Sequence, residues 1–254
     1  MFDRATFFRA LLVLGFGSYA KKSSANILSS QNINEKLIYH NPLATPENIK
    51  GFVMEGEALV SFVDNRLQLQ NKLDPSQGQK SNFVYWCPMH FPENIAITWD
   101  FYPIKQPGLC ILFFAAQGKN GEDVMAKSLN RRTGEYGQYH HGDINAYHLS
   151  YFRRKDPIEI QLQVCNLRKS YGFHMVSQGA DPIPNVGYAK PPYHLKLVKY
   201  ENQITFYING LKILHYQDNE ELGKVLKGGK IGFRQMAPLV AQYSNLKVFE
   251  LSEN

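Results

Sequence analysis

The sequence predicts an all-β protein, one antiparallel two-sheet β-sandwich. Three observations carry this. Short apolar runs with period-2 alternation recur along the chain, and almost none has helical spacing. Gly, Pro, Asn and Asp separate the runs, and Asn209-Gly210 is a strong hairpin signal. The composition is 44% apolar, with 15 tyrosines and 16 phenylalanines, and aromatic residues favour strands. A chain of 254 residues could hold one large β domain or two smaller ones. The absence of an internal repeat, and of a domain-sized linker beyond residue 36, favours one.

Residues 1–20 carry a leader pattern. Arg4 and Arg9 precede the apolar run Ala10 to Phe16, and Ser18-Tyr19-Ala20 fits a cleavage site. Asp3, Gly15 and Gly17 depart from the usual pattern. The run is too short to span a bilayer, which takes about 20 apolar residues. Export to the periplasm or the extracellular space is therefore expected, without stable membrane insertion. Residues 21–36 read as a flexible linker, and residues 37–254 as the sandwich domain.

Within that domain, Phe52 to Met54, Ala58 to Val63 and Arg66 to Leu69 read as early strands, followed by the turn cluster Asp74 to Gly78. Phe83 to Cys87 is an apolar strand stopped by Pro88. Ile95 to Tyr102 alternates, with Ile95, Ile97, Trp99 and Phe101 on one face. Leu109 to Ala116 reads as a fully buried strand. Residues 117–146 are polar, with a short helix expected around Asp123 to Leu129. Tyr147 to Arg154 is a strand with Tyr147, Leu149 and Tyr151 inward and His148, Ser150 and Arg154 outward; Phe152 breaks the pattern. Ile158 to Val164 repeats the scheme. Tyr193 to Tyr200, Ile204 to Ile208, Leu211 to Tyr216, Lys230 to Phe233 and Tyr243 to Leu251 complete the sheets.

One stretch concentrates chemistry. Gly134 to Arg154 holds four tyrosines, three histidines and an arginine pair. Imidazoles move protons near neutral pH, phenols hydrogen-bond or relay a proton, and guanidiniums clamp carboxylates. His141, His148 and Tyr139 are the candidate catalytic groups. Arg153, Arg154, Asn166, Arg168, Trp86 and Arg234 are the candidate substrate-binding groups.

The formal net charge is +6, which suits an anionic partner. The basic residues are scattered rather than massed, which argues against nucleic acid or a membrane surface. Cys87, Cys110 and Cys165 lie in apolar stretches and read as buried free thiols. No phosphate-binding loop, dinucleotide fingerprint, zinc spacing or calcium loop is present, so neither metal nor cofactor is expected.

The C-terminal run "HLKLVKYENQITFYINGLKIL", then "GGKIGFRQM" and "SNLKVFEL", resembles the closing strands of concanavalin A-like jelly rolls. Within that fold, "FVYWCPMHFPENIAITWDF", "GQYHHGDINAYHLSYFRR", "CNLRKSYGFHMVSQGADP" and "KIGFRQM" resemble the YesU-like family, domain of unknown function 1961. The resemblance covers about residues 37–251. It implies a jelly roll and a setting of acidic polysaccharide breakdown; it implies no assigned chemistry.

Three activities remain open. Glycoside hydrolysis needs two carboxylates flanking the bond. The E-x-D-x-x-E strand motif of familiar jelly-roll hydrolases is missing, and only Glu55 and Glu57 have a shared-face spacing, with Gly56 between them. β-Elimination from a uronate, or a related dehydration, needs a base, an acid and groups that neutralise the carboxylate. The Tyr, His, Arg and Asn set supplies these. The third activity is lectin-like sugar binding, with exposed aromatic rings as stacking surfaces.

Overall fold

The computed structural model describes residues 33–253. The leader pattern and most of the expected linker lie outside the described residues. The linker's last four residues, Ile33 to Lys36, already belong to the first strand, so the folded domain starts earlier than the sequence suggested.

Among the described residues, fifteen strands form two sheets. In chain order they are β1 (Ile33–Asn41), β2 (Val53–Gly56), β3 (Ala58–Val63), β4 (Arg66–Asn71) and β5 (Phe83–Trp86). There follow β6 (Ile95–Lys105), β7 (Gly108–Gly118), β8 (Ile144–Arg154), β9 (Val164–Lys169) and β10 (His174–Ala180). The last are β11 (Tyr193–Tyr200), β12 (Gln203–Ile208), β13 (Leu211–Gln217), β14 (Lys230–Met236) and β15 (Val240–Glu253). One sheet runs β13-β12-β11-β6-β15-β4-β3, with β1 also on β15. The other runs β10-β9-β8-β7-β14-β5-β2. All pairings are antiparallel. This is the expected two-sheet sandwich.

The main core lies between the sheets, where Trp99, Phe101, Tyr151, Phe206 and Phe233 pack together. Each such side chain contributes roughly 1.5–3 kcal/mol through burial. As the alternation predicts, Tyr147, Leu149 and Tyr151 face this core. The pattern then slips: Phe152 takes a left-handed φ of 45° and joins Tyr151 inside.

Two expected elements differ. Asp123 to Leu129 forms turns, while a one-turn helix, α1, spans Gly137–His140. Ile158 to Leu162 is helical rather than extended: α2 covers Pro157–Leu162 and stops at Gln163, which is left-handed at φ 46°. Asp156-Pro157 sets the helix start, because proline suits the first helical turn. Ile158 and Leu162, expected inward, are 59% and 60% exposed.

Residues 119–143 fold back over the outer face of the seven-stranded sheet. Val124, Tyr139 and Ile144 pack there on Trp86, Ile111 and Phe113 as a second apolar cluster. Gly134 permits the closest approach: at φ 92°, a Cβ on it would lie 2.1 Å from the Asn82 carbonyl oxygen.

Candidate functional site

Strand register places the polar groups of this outer face in two rows. Directly opposed residues run Trp86, Gly232, Phe113, His148, Arg168 and Met175 across β5, β14, β7, β8, β9 and β10. The adjacent row begins on β2 with Glu55 and continues Val84, Arg234, Ile111, Ser150, Asn166 and Gln178. Because side chains alternate, both rows face the same side. The β2, β5 and β7 end of the rows lies under residues 119–143. The β8, β9 and β10 end carries His148, Ser150 and Asn166 as a buried floor, beneath the less buried Arg153, Arg168 and Gln178.

Tyr136 stands at the boundary. Its hydroxyl lies 3.0 Å from Nδ1 of His148. The tautomer follows from the next link. Ser170 Oγ accepts from the Ala146 amide at 2.8 Å and donates to the Ala146 carbonyl at 3.1 Å. Its one proton is thereby used, so His148 Nε2–H donates to Ser170 at 3.4 Å and Nδ1 accepts from Tyr136. The imidazole is neutral: burial, then the charges of His140, Arg234 and Arg168, hold its pKa well below the usual histidine range.

Three arginines surround this pair. Arg234 is fully buried below the Tyr136 ring, its guanidinium carbon 4.7 Å from the ring centroid. Its Nη2 donates to Gln79 Oε1 at 3.1 Å and to the Gly134 carbonyl at 3.3 Å, while Nε and Nη1 have no partner. Burial pulls its pKa down to about 10. Arg168 stacks on Phe173 at 3.7 Å and donates to the Phe173 carbonyl at 2.9 Å. Arg153 pairs with Glu159, and Asn166 lies within hydrogen-bonding reach of Arg153 and Gln178. Burial pushes the Tyr136 phenol up to about 12, against the opposing pull of Arg234, Arg168 and Arg153. The arrangement can hold an anion beside a phenol–imidazole pair that can relay a proton.

The carboxylates do not form a hydrolytic pair. Glu55 accepts from Arg132 at 2.7 and 3.2 Å and from the Tyr139 hydroxyl at 2.8 Å, all buried. Gly56, at φ 87°, turns the chain, and Glu57 pairs with Lys72 on the exposed surface. Among the described residues, no three His, Cys, Asp or Glu side chains converge as metal ligands.

The family model for a domain of unknown function, DUF1961, matches residues 36–248. The chain belongs to this family. This DUF1961 chain is 50% identical over 214 residues to the uncharacterized protein YesU of Bacillus subtilis (strain 168), covering 84% of the chain and 95% of the relative. A crystal structure of a Bacillus subtilis protein of unknown function with a galectin-like fold superposes with a TM-score of 0.84 at 49% identity, over 87% of this chain and all of that one. The kappa-carrageenase of Pseudoalteromonas carrageenovora, complexed with an oligotetrasaccharide of kappa-carrageenan, gives a TM-score of 0.54 at 8% identity, over 91% of this chain and 100% of that one. At that identity the likeness is one of fold. The expected jelly roll and family are thus shown.

Several candidate residues of the DUF1961 chain sit elsewhere than expected. Trp86 is not a stacking surface: it is fully buried against Phe113, at a centroid distance of 5.6 Å. Tyr139 is equally buried, stacked on Phe113 and bonded to Glu55, and burial beside that carboxylate raises its pKa far above an ordinary phenol. It supports the covering loop rather than a substrate. Arg154 is not on the outer face. The slip at Phe152 turns it to a buried ion pair with Asp181 at 3.3 Å, with Asn185 at 3.0 Å. His141 is exposed beside Tyr171 and His140. His148 itself lies on the expected face, buried rather than solvated. The structure therefore brings together His148, Arg153, Asn166, Arg168 and Arg234. It adds Tyr136 and Ser170, which were not singled out. Tyr136 carried a signal: it precedes His140 by four residues, and α1 sets their rings edge to face at 4.8 Å.

Proposed function

We propose that the open part of this face binds an acidic saccharide and acts on a uronate unit by β-elimination or a related dehydration. The observation that carries this reading is the Tyr136–His148 pair at the edge of the open part, with Arg153 and Arg168 beside it and Arg234, whose Nε and Nη1 have no partner, buried behind the Tyr136 ring. A buried cation needs an anionic partner, and a planar guanidinium suits a carboxylate. Arg153 and Arg168 add charge to the same locus. The kappa-carrageenase likeness supports the fold's capacity to hold an oligosaccharide. The leader pattern agrees with a substrate met outside the cytoplasm.

In this mechanism the arginines hold the carboxylate and stabilise the enolate-like state. Tyr136 takes the proton from the carbon next to the carboxylate while passing its own to Nδ1 of His148. The carbon–oxygen bond at the β carbon breaks, a carbon–carbon double bond forms, and the relayed proton returns to the departing oxygen. A binding-only reading rests on one observation, the complete burial of His148.

The test is incubation with uronate oligosaccharides, followed by ultraviolet absorbance of the conjugated product. Wild type should produce it and Tyr136→Phe should not. Binding without product would favour the lectin-like reading. New reducing ends without unsaturation would favour hydrolysis.

A further inference from the structure

A cavity of about 530 Å³ opens at the end of the same sheet, beyond the β9–β10 turn. Its wall carries Lys119, Lys169, Lys224 and Lys227 and no carboxylate. Lys169 is already neutralised, buried against Asp218 at 2.7 Å. Lys227 reaches Glu93 only at 3.9 Å and is largely exposed, as are Lys119 and Lys224. Asn145, also in the wall, has a buried Oδ1 with no hydrogen-bond partner, an acceptor suited to a hydroxyl.

The turn Ser170 to Phe173 joins this cavity to the arginine cluster. Ser170 lines the cavity and accepts from His148. Tyr171 and Phe173 are about half exposed, one on each flank of the turn. Lys119 lies over the Tyr171 ring at 3.9 Å, as Arg168 lies over Phe173 at 3.7 Å. An aromatic ring with a cation on it is thus repeated on both sides of the turn, and both rings are partly open to a sugar.

We propose that this lysine-lined cavity is a second anionic subsite. It would take another acidic unit of the same chain, so that the ligand is an acidic oligosaccharide spanning the Ser170 to Phe173 turn. The inference rests on the reading of the arginine cluster as the first acidic-sugar site. It requires longer uronate oligomers to bind more tightly than short ones, with the gain falling as salt rises.

The experiment titrates galacturonate and mannuronate oligomers, from di- to hexasaccharide, into wild type, a Lys119→Gln/Lys224→Gln/Lys227→Gln variant and Arg168→Gln by calorimetry. All three substituted lysines are exposed, so the fold should persist, and circular dichroism checks this. Wild type should bind the hexasaccharide about tenfold more tightly than the disaccharide, since exposed ionic contacts each add modestly. The triple variant should lose that gain and keep disaccharide affinity; Arg168→Gln should weaken both lengths. A wild type with no length dependence, or a triple variant that keeps it, overturns the second subsite alone. Failure of wild type to bind any oligomer overturns the first site and this inference with it.

Discussion

Replacing Arg234 by methionine should separate stability from ligand binding. Two buried nitrogens of Arg234, Nε and Nη1, lack partners, and each such unsatisfied polar atom costs about 1–3 kcal/mol. The substitution relieves both. Against this, it removes hydrogen bonds to Gln79 and Gly134, worth about 1 kcal/mol each, and a cation–π contact with Tyr136 of roughly 1–2 kcal/mol. Methionine fills much of the volume with a flexible apolar chain. The terms nearly cancel, with a tilt of about 1 kcal/mol towards the variant, in line with buried charges replaced by apolar residues. For a domain of this size that is about 2–4 °C in Tm. Differential scanning calorimetry, with and without a uronate oligosaccharide, measures both halves. The ligand should raise the wild-type Tm and leave the variant's unchanged. A variant destabilised by about 3 kcal/mol or more, with the ligand shift intact, would refute the argument: Arg234 would then be a structural cation.

Three further outcomes follow from the same geometry. Below pH 6.5 the unfolded chain takes up a proton that buried His148 refuses, so stability falls as pH falls, by about 1.4 kcal/mol per unit down to the depressed folded pKa; urea unfolding of His148→Phe should show a shallower loss between pH 7 and 5. Arg154→Met leaves Asp181 buried without its cation and should cost about 3–5 kcal/mol in chemical denaturation, whereas an unchanged midpoint would mean the pair is dispensable. Tyr136→Phe should lower kcat at least about 100-fold with KM little changed if the phenol relays the proton, and a normal kcat would remove it from the mechanism.

Period-2 alternation made most of the sandwich legible. Ile97, Trp99 and Phe101 are buried in the core as their spacing requires, and Asn209-Gly210 makes its turn with both φ angles positive. Ile158 to Val164 misled because four apolar side chains in alternation, Ile158, Ile160, Leu162 and Val164, outweighed the Asp156-Pro157 helix start. β9 and β10 escaped assignment because His174 and Met175 stand exposed next to each other, without alternation. For the site, alternation put His148 and Ser150 on one face, as found, whereas Asn166 and Arg168 on β9 were singled out by residue type and not by alternation. It could not tell that residues 119–143 would cover half of that face, so Trp86 and Tyr139 looked available to a ligand. Phe152 did break the alternation, but nothing local showed that the break would send Arg154 inward, since phenylalanine has no preference for a positive φ.

The electrostatics of the cluster bear on how such a site would switch between rest and turnover. His148 is a poor base in the free protein, because burial and the charges of His140, Arg234 and Arg168 all oppose its protonation. Those same arginines are the groups that a carboxylate would neutralise. An anion held by Arg234 and Arg168 would cancel part of the field at His148 and raise its affinity for a proton. It would also weaken the pull that favours the Tyr136 phenolate, so the phenol proton would stay between the two until the substrate carbon supplies another. On the elimination reading, the ligand's own charge therefore activates the relay, and a neutral sugar in the same place would leave His148 as inert as it is at rest. The hydrogen bonds run in a single donor-to-acceptor order from Tyr136 through His148 to Ser170. On the elimination reading, that order gives the phenol proton its path to Nδ1 of His148.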